Sequence, residues 1–180
     1  MILKPFRDYS EHNVINLFTM EEDSADKGCF AQMVSFNPDN YSEWDVSFPG
    51  TPNYAFSHDY RVNAIARLAP SGVGKKEVLG MLLYDVRTVL AFPFNMLATL
   101  ANPAYLDEQQ VAVAGFPVPI LSKGIVEIGG FHGIPAPGSG ALIFNSGILQ
   151  VVGPNVSNSI GTFLSSTGAD GCALFRINTL

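Results

Sequence analysis

The sequence predicts an all-β protein, and three features of the chain carry that prediction. Apolar residues alternate with other residues through the stretch from Gly115 to Gly130, which is typical of a half-buried strand. The final stretch, 172–178, alternates in the same way. Between these two, short apolar runs are separated by turns rich in Gly, Pro and Asn. We therefore expect a small β-barrel or a β-tulip-like sandwich.

The stretch 115–130 is the longest of the predicted strands, and we expect the others to pair around it. One face carries Val118, Ile120, Ser122, Gly124, Val126 and Ile128. The other face carries Leu121, Lys123, Ile125 and Glu127. We expect the first face to line the core and Lys123 and Glu127 to point outward. Gly124 interrupts the apolar face, which predicts a bulge or the bend that closes a barrel.

The remaining predicted strands are short. Gly80 and Gly161 lie within or at the start of two of them, and we expect both, with Gly124, to be structural residues of the barrel. Asn145-Ser-Gly147 predicts a three-residue hairpin turn. A short helical turn is expected within 11–20. The expected strands are 30–36, 61–68, 77–87, 111–114, 141–144, 148–152, 161–166 and 172–178.

The chain divides by composition near residue 62. Residues 1–62 hold many acidic and aromatic residues without clear periodicity, and Pro-containing breaks recur, so we expect an extended, irregular N-terminal arm. Residues 63–180 are expected to form the barrel domain. Residues 88–109 form a long apolar connection within it, and connections of that length are usually functional.

Composition restricts the classes of function. Charged residues make up 14% of the chain, below the usual quarter, which indicates a protein that buries surface against partners. The net charge of −6 gives no electrostatic basis for direct nucleic-acid binding. The apolar run 88–101 is too short for a membrane span, and no secretion signal is recognisable. Cys29 and Cys172 are expected to be buried free thiols.

No motif for catalysis, cofactor binding or metal binding is recognisable. The run Ser71-Gly-Val-Gly-Lys75-Lys76 lacks the first Gly and the Ser or Thr of a phosphate-binding loop, so it predicts a surface turn. The histidines His12, His58 and His132 have no spacing typical of metal ligands. We expect no enzyme activity, no cofactor and no metal.

The order of apolar and glycine positions in residues 63–180 resembles the head decoration, or cement, proteins of tailed bacteriophages and related virion structural proteins. The matching features are a Gly within a strand at Gly80, a Pro-Val-Pro strand that continues through Gly124, a glycine-rich hairpin, and a final pair that begins at Ile160-Gly161. The resemblance implies a non-enzymatic protein of the virion surface, made in the host cytoplasm. It implies binding to the major capsid protein and to copies of itself, with a trimer as the expected state.

We expect aromatic and apolar side chains in the arm and in the long connection to make these contacts, because such side chains dominate interface energetics. Removing residues 1–20 is then expected to leave a folded barrel that no longer binds capsids. The expected interface residues are Phe6, Tyr9, Phe18, Trp44, Tyr54, Phe92, Phe94 and Met96.

Two other functions are compatible with the sequence. Exposed Tyr41, Trp44 and Tyr54 could stack on sugars in a head-fibre or tail protein that adheres to host glycans. A small hydrolase would need His58 or His132 beside acids and a nucleophile, an arrangement for which the sequence has no local signature.

Overall fold

The computed structural model describes residues 2–5, 11–15, 18–37, 63–87, 111–114 and 117–179. Over these residues the fold is all-β, which confirms the predicted class. Two single 3₁₀ turns, Glu11–Asn13 and Lys75–Glu77, accompany the strands. The strands are β1 (Ile2–Pro5), β2 (Val14–Ile15), β3 (Thr19–Met20), β4 (Phe30–Asn37), β5 (Asn63–Leu68), β6 (Val78–Leu82), β7 (Asp85–Arg87), β8 (Val111–Val113), β9 (Ile120–Leu121), β10 (Lys123–Gly129), β11 (Gly140–Asn145), β12 (Ile148–Val152), β13 (Gly161–Phe163) and β14 (Cys172–Asn178).

The strands form two six-stranded sheets and one two-stranded sheet. The first, which we call the open sheet, has the order β1-β10-β14-β13-β11-β12 and is antiparallel throughout. The second has the order β2-β9-β6-β4-β5-β3, with a parallel pairing between β3 and β5. The small third sheet pairs β7 with β8 in parallel.

The second sheet closes on itself, and we call it the closed sheet. Its edge strand β3 pairs with β5 on one side and meets the residues just before β9 on the other. Thr19 forms an antiparallel bridge with Pro117, and the Val118 amide donates to the Phe18 carbonyl at 3.0 Å. The ring therefore runs through β3, β5, β4, β6 and β9 and returns to β3. Closure removes strand edges that would otherwise be free to pair with other chains.

Alternation along the strands of the ring places side chains in two separate cores. One cluster, the barrel core, contains Met20, Ala31, Ala66, Leu82, Val118 and Ile120, and the small third sheet adds Val86 and Ala112. Their immediate neighbours on the opposite face of the strands, among them Phe30, Met81 and Leu121, belong to a second cluster. This inter-sheet core also contains open-sheet residues such as Val126, Phe163 and Phe175. The closed sheet is therefore apolar on both faces.

The stretch 115–130 is two strands rather than one. Residues 117–121 belong to the closed sheet and β10 belongs to the open sheet, so the chain passes from one sheet to the other at Ser122. The predicted apolar face from Val118 to Ile128 is buried, and Lys123 is exposed as expected. Gly124 is buried and pairs with Ile177, two residues after the change of sheet.

A set of buried hydrogen bonds fixes the chain at Ser122. The Ser122 amide and hydroxyl both donate to the Asn13 carbonyl, each at 2.9 Å. The Thr179 amide donates to the Ser122 carbonyl at 3.2 Å. The Thr179 hydroxyl lies 2.8 Å from the Ser122 carbonyl and 3.0 Å from that of Leu79. Four separate parts of the chain therefore meet where the two sheets join.

The described parts of the first 62 residues contribute strands to both large sheets. β1 is an edge strand of the open sheet, and β3 completes the closed ring. β4 lies between β6 and β5 inside the closed sheet. Because removing residues 1–20 would take away the strand that closes the barrel, the structure leads us to expect that this deletion destabilises the barrel itself.

Several predicted elements differ in their limits. The predicted helical turn within 11–20 is a 3₁₀ turn followed by β2 and β3. The predicted strand 77–87 is split into β6 and β7 by a bend at Leu83-Tyr84. The predicted strand 30–36 is β4, in which a bulge at Val34 leaves Met33 and Val34 both exposed. The predicted connection 88–109 lies outside the described residues.

The turn between β11 and β12 has two residues rather than three. Asn145 pairs with Ile148, and Ser146 and Gly147 both have positive φ, as a type I′ turn requires. The turn also joins the sheets, because the Gly147 amide donates to the Ala69 carbonyl at 2.8 Å and the Gly147 carbonyl accepts from the Phe30 amide at 2.9 Å. A Cβ on Gly147 would lie 2.5 Å from the Phe30 carbonyl oxygen, so this close approach requires glycine.

Two of the three predicted structural glycines lie against neighbouring backbone. A Cβ on Gly80 would collide with the Leu121 carbonyl of the adjacent strand. A Cβ on Gly161 would collide with the Arg176 carbonyl and lie 2.5 Å from the Phe175 ring. Both glycines are therefore needed for close packing, although neither was predicted from that contact.

We expect Gly161→Ala to lower the free energy of unfolding by about 2 kcal/mol or more, because the rigid Arg176 backbone cannot move aside. Gly153→Ala is the matched control, since a Cβ there meets no atom within 4 Å. Urea unfolding followed by circular dichroism measures both. Equal stability of the two variants would contradict the packing argument.

We expect Thr179→Val to destabilise the fold by about 1–2 kcal/mol, because the partly buried Leu79 carbonyl loses its hydroxyl donor when the buried Thr179 side chain is replaced by one of nearly the same shape. Thr162→Val, on the outward side of β13, is expected to be close to neutral. Thermal unfolding of the two variants measures the difference. A loss no greater than that of Thr162→Val would show that the hydroxyl bonds do not hold the junction.

Candidate functional site

Most of the predicted interface residues lie outside the part of the chain that the structure describes. Phe6, Tyr9, Trp44, Tyr54, Phe92, Phe94 and Met96 lie outside the described residues. Phe18 is described, and it is only 5% exposed, in the barrel core of its own chain. Its ring contributes to folding, and as the chain stands it is not presented to a partner.

Among the described residues, the histidines and the glycine-rich run that were candidates for catalysis or binding lie in separate parts of the fold. His12 is exposed in the first 3₁₀ turn, and His58 lies outside the described residues. His132 is exposed beside the open sheet. Ser71 and Gly72 form a surface turn followed by the 3₁₀ turn Lys75–Glu77, as predicted for the run that resembles a phosphate loop.

One group of possible metal ligands is present among the described residues. Donor atoms of Glu127, Asp170 and Cys172 lie within 4.8 Å of one another. The Asp170 carboxylate already accepts the Cys172 amide at 3.1 Å, which fixes the turn before β14. The Cys172 sulfur also contacts the Asp170 carbonyl at 3.9 Å. These bonds give Asp170 and Cys172 a structural role in the turn. Both cysteines are buried and free, as predicted.

A network around Arg87 attaches the loop before β4 to the small third sheet. The guanidinium donates to Asp26 at 2.7 Å and to the Ala25 carbonyl at 2.7 Å, and it lies 3.6 Å from Asp85. Asp85 in turn accepts the Lys27 amide at 2.7 Å. The hydrogen bond from Arg87 lowers the pKa of the Asp26 carboxyl below its usual value. These charged groups therefore make contacts within the fold.

A charge-free segment covers half of the open sheet. Residues 128–169 contain no Asp, Glu, Lys or Arg. A soluble domain of ordinary composition would carry about ten charged residues over that length. The segment includes β11, β12 and β13 with their loops. All its residues are described, and many of its loop residues are exposed.

The outward surface of the open sheet is divided by charge. Lys123, Glu127 and Arg176 project from β10 and β14. Arg176 pairs across the strands with Thr162 of β13, and the charged half ends there. Beyond it, the side chains on the outward side are Leu142, Phe144 and Gln150. We call the surface of β11, β12 and the loops 130–139 and 153–158 the neutral face.

Large apolar side chains are exposed on the neutral face. Ile134 is 89% exposed and Phe144 is 41% exposed, and Val156 is also exposed in the loop after β12. The His132 ring packs against the Phe144 ring with centroids 4.5 Å apart. A monomer that remains separate in water usually surrounds such side chains with charge, and the neutral face has none.

The neutral face also includes a sheet edge. β12 is the last strand of the open sheet, and its outer side is partly covered by the main chain of His132. The His132 amide donates to the Leu149 carbonyl and its carbonyl accepts the Val151 amide, both at 2.8 Å. Proteins commonly protect an edge with Lys or another charge, which is absent here.

The neutral face was missed at the level of sequence, although its signal was present there. The predicted interface residues are aromatic or apolar side chains outside residues 128–169, so none of them belongs to this face. The run without charges from Ile128 to Ala169 is visible in the sequence. The structure adds that this run forms one half of one sheet.

Comparison of the chain with family models, with curated proteins and with solved structures finds no match. Within the described ranges, no helix has the length and hydropathy that a bilayer crossing requires.

We expect Asp26→Asn to reduce stability at neutral pH by up to about 1 kcal/mol, the usual range for an exposed ion pair. Because the folded pKa of Asp26 lies below the reference value of 3.8, its contribution is complete above that value and is lost as the pH falls through the folded pKa. Thermal unfolding across the acid range should therefore show the variant converging on the wild type. Asp23→Asn, in the same exposed loop, is the control. A difference that persists at the lowest pH would contradict the assignment.

Proposed function

We propose that this chain is a non-enzymatic structural protein of a viral particle that decorates the outer shell and stabilises it. In this role it binds the major capsid protein, bridges neighbouring subunits and contacts copies of itself. The single observation that carries the proposal is the neutral face, an exposed apolar surface without charge on a rigid β scaffold. Such a surface is typical of a subunit that functions within an assembly.

The scaffold supports the same interpretation. The sheets are joined by a shared core, by the hydrogen bonds around Ser122 and by the turn at Gly147. Most buried polar groups in the described ranges bond within the chain. The Arg87 guanidinium pairs with the Asp26 and Asp85 carboxylates. A scaffold of this kind presents a fixed surface, so a contact made on it loses little conformational entropy.

Repetition on a particle lowers the affinity that each contact needs. A decoration protein binds many equivalent positions on one shell, so modest contacts are sufficient when several act together. The low content of charged residues agrees with this, because apolar and amide contacts do not depend strongly on the salt concentration of the medium. The resemblance of residues 63–180 to phage cement proteins adds the class of particle.

The test is quantitative analysis of purified particles from the virus that encodes the chain. We expect the protein on intact heads in a fixed molar ratio to the major shell protein. Adding purified protein to heads that lack it should raise the temperature at which they release DNA. An acidic protein of similar size is the control. A variable ratio together with unchanged heat resistance would overturn the proposal.

A further inference from the structure

We propose that the neutral face is the docking site for a second copy of this chain. The inference deepens the proposed function. It rests on that function only for the biological role of the contact, because the association of two copies can be measured without a particle. Three observations lead to a copy as the occupant: the distribution of charge, the chemistry of the exposed polar groups, and the exposed apolar side chains that lie beside an uncharged strand edge.

The first observation concerns charge. Each chain has a net charge of −6, so two copies repel each other wherever their charged surfaces approach. Every Asp, Glu, Lys and Arg lies outside residues 128–169. Contact through the neutral face keeps the charged side chains that the structure describes outside the contact in both copies, where solvent and salt screen them. A strongly basic partner, in contrast, would gain nothing from binding to this face.

The second observation concerns hydrogen bonding. The exposed polar side chains of the neutral face include Asn145, Ser146, Gln150 and Asn158. Amides and hydroxyls each contain both a donor and an acceptor. A surface made of such groups can satisfy a second copy of itself, as a two-fold contact requires. A surface with charges of one sign cannot do this.

The third observation is that apolar side chains and a strand edge lie together on this face. Phe144 is exposed on β11, which pairs with the uncharged strand β12, and Ile134 is exposed in the loop whose His132 main chain bonds to the β12 edge. A copy seated there would cover apolar surface and shield an edge that carries no protective charge. The contact is expected to end at Arg176, where the charged half of the sheet begins.

The experiment is sedimentation equilibrium of the purified full chain, with two isosteric variants. Gln150→Glu places a carboxylate in the middle of the neutral face. Asn178→Asp makes the same change of amide to carboxylate at an exposed position of β14, on the charged half of the same sheet. We expect the wild type and Asn178→Asp to self-associate equally. We expect Gln150→Glu to raise the dissociation constant about tenfold or more, because it sets like charges against each other.

A second pair tests the apolar part. Phe144→Ala is expected to weaken association, and Met33→Ala, which truncates an exposed apolar side chain of the closed sheet, is expected to leave it unchanged. Thermal unfolding verifies that all four variants are folded.

Two results would overturn the inference: a wild type that stays monomeric up to its solubility limit, or equal effects of Gln150→Glu and Asn178→Asp. A wild-type monomer whose Gln150→Glu variant loses occupancy on particles would assign the face to the shell instead. That result would overturn self-docking while leaving the decoration function standing. Self-association without any occupancy on particles would support self-docking and overturn the decoration function.

Discussion

The hydrogen bonds at Ser122 are the constraint on which the rest of the structure depends. There the chain leaves the closed sheet and enters the open one. The Ser122 hydroxyl donates to the Asn13 carbonyl, and the Ser122 carbonyl accepts from Thr179. Because Ser122 and Thr179 are buried, their polar groups need these partners, and the segments that meet there cannot shift independently. The direction in which β10 starts is therefore determined, and with it the position of the open sheet against the barrel.

The inter-sheet core follows from that junction. Phe30 packs edge-on against Phe175, and Phe163 packs against both Phe175 and Phe131. Gly161 leaves the space that the Phe175 ring occupies. The Gly147 turn attaches the far side of the open sheet to Phe30 and Ala69 of the closed one. Two attachments at a distance from each other hold the sheet as a rigid plate.

The rigidity of the open sheet matters for the neutral face, which lies on that sheet. The charged residues that the structure describes lie on the barrel, on its connections and on the half of the open sheet nearest the N-terminal strand. The half most distant from β1 carries amides, hydroxyls and exposed apolar side chains instead. A flexible loop of that composition would present no fixed surface to a partner. On an ordered sheet the same composition produces a defined surface that a partner can bind.

The sequence by itself determined the all-β class, most strand positions and the buried face from Val118 to Ile128, because period-two alternation is a local property of the chain. It also contained the charge-free run, since composition can be read without a fold. Only the tertiary structure decided that Phe18 is a core residue, that strands β1 to β4 belong to the two large sheets, and that Ser122 rather than Gly124 marks the change of sheet. Those features depend on pairings between residues about 100 positions apart in the chain, such as Thr19 with Pro117, which local patterns do not encode.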